Sequence, residues 1–82
     1  MKIKYFAWLK NITKKDSENI TNKKIRDIKT LKQYLCSKYP DLEKYIIKEN
    51  NIRIAVNLEY TLKNKKISSK DEIAIFPPVS GG

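Results

Sequence analysis

One helix has to serve the whole of this chain. Asp27 offers an N-cap, Ile28, Leu31, Tyr34 and Leu35 follow at helical spacing, and Pro40 stops the run after Tyr39. The other patterned stretches have period two. From Met1 to Trp8, Ile3, Tyr5 and Ala7 share one face, while Lys2, Lys4, Phe6 and Trp8 share the other. Ile52, Ile54 and Val56 alternate with Arg53, Ala55 and Asn57, and Ile73-Ala74-Ile75-Phe76 forms a last apolar strand. A chain of 82 residues has room for one modest core, burying about 60–65% of its unfolded surface. The helix's apolar stripe is wide enough to cover one face of a small sheet. These constraints predict an α+β domain in which one main helix packs on a mixed sheet.

The remaining segments fit around that frame. Leu9 and Ile12 suggest a short helical turn or loop after the first strand. The polar stretch from Glu18 to Lys23 can form only an edge strand. Asp41 to Lys48, carrying Leu42, Tyr45 and Ile46, reads as a further short helical piece. Leu58 to Leu62 either extends the third strand or pairs back on it. Asn64-Lys65-Lys66 is a turn, Ile67 plugs the core, and Ser68 to Glu72 forms a polar turn into the last strand. The chain divides into a domain over residues 1–76 and an extended, flexible tail over 77–82.

Charge alone points toward nucleic acid, with 18 Lys+Arg against 9 Asp+Glu and a net charge of +9. Its distribution argues otherwise, because all the cations except Arg26 and Arg53 are lysines scattered from Lys2 to Lys70. No histidine is present, which removes the commonest general base and metal ligand. Cys36, on the helix, reads as a packing residue, and the adjoining Asp71 and Glu72 read as a solvated turn. Both glycines are terminal, so there is no phosphate-cradling loop. Tyr34, Tyr39 and Tyr45 are explained by partial burial around the helix. Phe6 and Trp8, opposite Tyr5, are either exposed or covered by a loop. No segment reaches the roughly 20 apolar residues of a membrane span, and the expectation is a cytoplasmic protein with no metal and no membrane or nucleic-acid partner.

The remaining candidate is the tail, Phe76-Pro77-Pro78-Val79-Ser80-Gly81-Gly82. Phe76 is held extended by the proline after it, and Pro77 and Pro78 fix φ and lack N–H donors. From Pro77 to Gly82 the backbone reaches up to about 20 Å. Gly81 and Gly82 carry no Cβ and can pass a narrow channel to present the terminal carboxylate.

This tail resembles the terminal motif of the small subunit of molybdopterin synthase, the MoaD-type sulfur carrier with a ubiquitin-like β-grasp fold. The Ala55-Val56-Asn57 strand and the Asp71-Glu72-Ile73-Ala74 approach also match that family at its spacing. Lys10-Asn11 stands where the family often has Arg-Glu, Lys14 where glycine is common, and Lys70 where a turn glycine is usual. The resemblance implies that an ATP- and Mg-using adenylating enzyme activates the Gly82 carboxylate. A sulfur donor, such as a cysteine desulfurase or rhodanese, then leaves a thiocarboxylate. Phe76 would dock the large synthase subunit, in a heterotetramer, while Pro77, Pro78, Val79, Ser80 and Gly81 thread its active site. There sulfur passes to cyclic pyranopterin monophosphate, building the dithiolene. On this view the chain binds no cofactor and the catalytic residues lie in the large subunit. A thiazole-pathway sulfur carrier and a ubiquitin-like protein modifier share the fold and the Gly-Gly end. A basic nucleic-acid-binding module is the alternative from another class.

Overall fold

The computed structural model describes residues 1–78. Five strands form one mixed sheet: β1 (Lys2–Tyr5), β2 (Ser17–Asn19), β3 (Arg53–Val56), β4 (Glu59–Thr61) and β5 (Glu72–Phe76), in the order β2-β1-β5-β3-β4. β1 and β5 run parallel at its centre, and every other pairing is antiparallel. The expected mixed sheet under one main helix is therefore present.

That helix, α2 (Ile28–Lys38), begins as its sequence requires. The Asp27 carboxylate accepts from the Thr30 amide at 2.8 Å, and Thr30 Oγ1 accepts from the Asp27 amide at 3.0 Å, a reciprocal capping box. Ile28, Leu31 and Leu35 are buried against Ile3, Tyr5, Ile54, Val56, Ile73 and Ile75 from the alternate positions of β1, β3 and β5. Each such side chain contributes about 1.5–3 kcal/mol of transfer free energy, so this layer dominates stability. Leu9, Leu42, Ile46 and Ile67 close the core, and Ile67 is the plug its isolation among polar residues predicts.

Three expectations need correction. β1 ends at Tyr5 and does not continue to Trp8, because Ala7 takes φ 55° and the chain turns into α1 (Leu9–Thr13). The segment after Pro40 is two tight pieces, a 3₁₀ turn at Pro40–Leu42 and a π turn at Lys44–Lys48. The edge strand β2 is shorter than Glu18 to Lys23 and is fastened inward. Glu18 faces the helix side and accepts from the Tyr5 and Tyr39 hydroxyls, each at 2.6 Å, and from Lys38 Nζ at 2.5 Å. Burial works to raise the Glu18 carboxyl, but the hydrogen bonds from Lys38, Tyr39 and Tyr5 outweigh it and bring it down to about 2. The same burial and the Glu18 charge push the Tyr5 hydroxyl far up, so Tyr5 remains a donor.

Lys14, standing where the resembled family commonly has glycine, caps α1 at φ 65°, and its amide donates to the Lys10 carbonyl at 2.8 Å. A left-handed conformation costs a residue with a Cβ about 1–2 kcal/mol. Here it ends the helix in a geometry that glycine would adopt freely.

Candidate functional site

Among the described residues no helix or strand covers the outer face of the sheet, away from α2, and the register decides what that face presents. Ala55 of β3 lies opposite Ala74 of β5, Lys4 of β1 flanks Ala74 on the other side, and Arg53 pairs with Phe76. Two alanines at the centre leave a shallow floor. Around it stand Phe6, Ala7, Phe76, Pro77 and Pro78, which with Ala74 line one apolar hollow. Phe6 is 45% exposed and Tyr60 54% exposed, both unusual for aromatic rings on so small a domain. Tyr60 comes from β4, and its ring meets Phe76 with centroids 5.9 Å apart at 60°. Trp8 behaves differently from Phe6, since it packs on Tyr45 at 4.7 Å beside the π turn.

Tyr60 reaches this place through a two-residue hairpin. Asn57 and Leu58 take φ 50° and 69°, the handedness that matches the twist of antiparallel strands, and Val56 pairs directly with Glu59. Asn57 then fixes the hairpin to the start of β5. Its amide donates to the Glu72 carbonyl at 2.8 Å, its side-chain oxygen accepts from the Glu72 amide at 2.9 Å, and its Nδ2 donates to Asp71 at 2.9 Å.

Both members of the Asp71-Glu72 pair are engaged in structure, as a solvated turn requires. The Asn57 side chain and the Ser68 amide hold the Asp71 carboxyl below its usual range. Glu72 is held low by Lys4, whose Nζ lies 2.9 Å away on the outer face. Burial and the nearby Glu43 charge push the Cys36 thiol up, so the protonated, packing form is favoured. Among the described residues no three of His, Cys, Asp and Glu gather as a metal site, and no helix is long and apolar enough to cross a membrane.

Of the tail residues singled out in the sequence, Phe76, Pro77 and Pro78 are half-buried and come together at the hollow. Val79, Ser80, Gly81 and Gly82 lie outside the described residues. Sequence reasoning missed Tyr60, Ala55 and Ala74 as parts of this surface. Reading Asn57-Leu58 as a two-residue turn would have found Tyr60, because it fixes Tyr60 opposite Ala55 and beside Phe76.

The hollow can bury apolar side chains of a partner at the point where β5 ends and the tail begins. Among the described residues its lining includes no general base, nucleophile or metal ligand. Known proteins are similar to this chain in sequence and fold. The ThiS family model matches residues 3–82. The molybdopterin synthase sulfur carrier subunit of Dictyostelium discoideum is 37% identical over 91 aligned positions, covering 99% of this chain and 94% of that protein. The subunit of the same name from Arabidopsis thaliana is 40% identical over 48 residues, covering 58% of this chain and 47% of that protein, about half the relative's length. Among solved structures, small archaeal modifier protein 1 from Methanosarcina acetivorans superposes with a TM-score of 0.79 at 27% identity, covering 99% of this chain and 94% of that one. The Haloferax volcanii protein of that name gives 0.80 at 24% identity, covering 99% and 97%, a likeness of fold.

Proposed function

The chain belongs to the ThiS family, with a ubiquitin-like β-grasp fold, and from that premise we propose that it is the sulfur carrier subunit of a molybdopterin synthase. The observation that carries this reading is the similarity, along nearly the whole chain, to the Dictyostelium subunit of that name.

Gly82 is the reacting residue. A carboxylate is a poor electrophile, since neither of its oxygens is a competent leaving group at neutral pH. Attack of its oxygen on the α-phosphorus of ATP, with loss of pyrophosphate, creates a mixed anhydride. The donor's persulfide sulfur displaces AMP to give an acyl disulfide, and a second thiol attacks its S–S bond, forming a disulfide with the donor cysteine and releasing the thiocarboxylate. ATP and Mg belong to the adenylating enzyme, and the sulfur comes from a cysteine desulfurase or rhodanese. The carrier supplies reach and docking. Phe76, Tyr60 and Phe6 seat an apolar partner surface over the Ala55–Ala74 floor, and Pro77 and Pro78 direct Val79, Ser80, Gly81 and Gly82 into the large subunit's active site, in a heterotetramer. There the sulfur is transferred to cyclic pyranopterin monophosphate.

The test is reconstitution with the adenylating enzyme, ATP, a sulfur donor and the large subunit. Intact mass spectrometry is expected to show one oxygen of Gly82 replaced by sulfur, followed by molybdopterin formation. Sulfur carried only on Cys36 would overturn the proposal. The likeness to small archaeal modifier protein 1 favours a second reading, attachment of Gly82 to lysines of other proteins. Covalent adducts on partner lysines, with no sulfur transfer, would select it.

A further inference from the structure

On the helix side of the sheet a second surface lies apart from the tail. Between α2 and β4 runs a groove of about 280 Å³, floored by the buried Ile28 and Ile54. Its walls are apolar and open to solvent, Ile47 at 52% and Leu62 at 79% exposure. Its remaining lining includes Lys29, Lys32, Arg53 and Lys63 and not one carboxylate. Among the described residues none of these four cations forms an ion pair, although five other lysines do.

The walls are tied to each other. The Lys29 amide donates to Asn64 Oδ1 at 2.9 Å and the Ile28 amide to the Lys65 carbonyl at 3.0 Å, so helix and loop hold the groove open as one unit. Among the described residues β4 is also an edge of the sheet, with no further strand beyond it.

We propose that this groove docks an extended acidic segment of a partner protein, with apolar side chains between Ile47 and Leu62 and carboxylates against Lys29, Lys32 and Lys63. Charge complementarity selects the occupant, because Lys29, Lys32 and Lys63 around an isoleucine floor match a segment that mixes acidic with aliphatic residues. A nucleic acid fits less well, since the lining has no aromatic ring for stacking and a single guanidinium. The groove and the hollow lie on opposite faces of the sheet, so both can be occupied together. This inference does not depend on the chemistry at Gly82.

The experiment titrates the ¹⁵N-labelled full chain with a short synthetic peptide alternating Glu and Val, alongside calorimetry. Amide shifts are expected at Lys29, Lys32, Ile47, Leu62 and Lys63. Lys32→Glu and Leu62→Ser are each expected to weaken binding about tenfold, the loss of one charged or apolar contact. Both side chains leave the core untouched, and Ile47→Ser with an unchanged melt serves as a second apolar variant. The proposal is overturned by absence of binding. It is equally overturned if Leu62→Ser and Ile47→Ser bind as well as the parent and an oligonucleotide of equal charge competes fully, which would mean general attraction to a cationic surface.

Discussion

Replacing Glu18 with Gln tests the partly buried cluster of Glu18, Tyr5, Tyr39 and Lys38. The Glu18 side chain is 9% exposed and sits between β2, β1 and the end of α2, meeting two hydroxyls and an ammonium. Its carboxyl falls from an ordinary 4.5 to about 2 in the folded chain. Because the folded value is the lower one, the contribution is fully present above about pH 4.5 and is lost as pH falls toward about 2. At about 1.4 kcal/mol for each pH unit between those values, the charge contributes about 3 kcal/mol. Glu18→Gln keeps the shape and an acceptor oxygen, so a loss of about 2–3 kcal/mol near neutral pH is expected. Urea unfolding of both chains measures it. Asp27, Asp71 and Glu72 are also held low but titrate in both proteins and cancel in the difference. The gap between the two chains is therefore expected to close as pH falls to about 2.5. An equal gap at neutral and acid pH would refute the electrostatic account and leave only lost packing.

Lys14→Gly removes the left-handed penalty at the α1 cap and is expected to raise stability by about 0.5–1 kcal/mol after the greater unfolded-state entropy of glycine, seen as a higher melting temperature. Leu58→Gly in the hairpin is expected to stabilise by a similar amount, with the Tyr60 and Phe76 aromatic NMR contacts unchanged. Ala74→Arg fills the floor of the hollow without entering the core; it is expected to weaken calorimetric affinity for the large subunit about tenfold or more and to leave the melt unaltered. Deleting Gly82 draws the chain end back by about 3.5 Å, and since a 1 Å displacement can cost about a hundredfold in rate, molybdopterin formation is expected to fail while the fold melts as before.

What the sequence disclosed depended on whether a signal was local. The N-cap at Asp27, the stop at Pro40 and the alternation of Ile52, Ile54 and Val56 are set by neighbours a few residues away, and the structure carries all three. The inward turn of Glu18 was hidden, because its partners Tyr5 and Tyr39 lie far along the chain and its neighbours are polar. The outer hollow was hidden for a similar reason. It depends on register, which places Ala55, Ala74 and Tyr60 together although none stands out in its own segment. Phe6 and Trp8 were legible as exposed candidates and both are exposed, whereas the contact of the Trp8 ring with Tyr45 required knowing where Tyr45 goes. Residue types gave the tail's reach and slimness while its chemistry came from the family resemblance, and of those positions the described structure reaches Phe76, Pro77 and Pro78.

The parallel pairing of β1 with β5 has a consequence for how the domain is made. β5 is the central strand that joins the β1–β2 ribbon to the β3–β4 hairpin, yet its residues Glu72–Phe76 follow all the others in the chain. Until they are synthesised, the two halves share no strand contact, and the faces of Ile3, Ile54 and Val56 have no neighbour between them. Closing such a long-range pairing is slow compared with forming a hairpin or a helix. A nascent chain interrupted before Glu72 lacks the strand that joins its two halves and lacks Phe76, and is expected to be sensitive to proteolysis and unable to dock. Completion of the strand that leads into the tail also completes the fold, so a prematurely terminated product cannot compete with the finished protein for its partners.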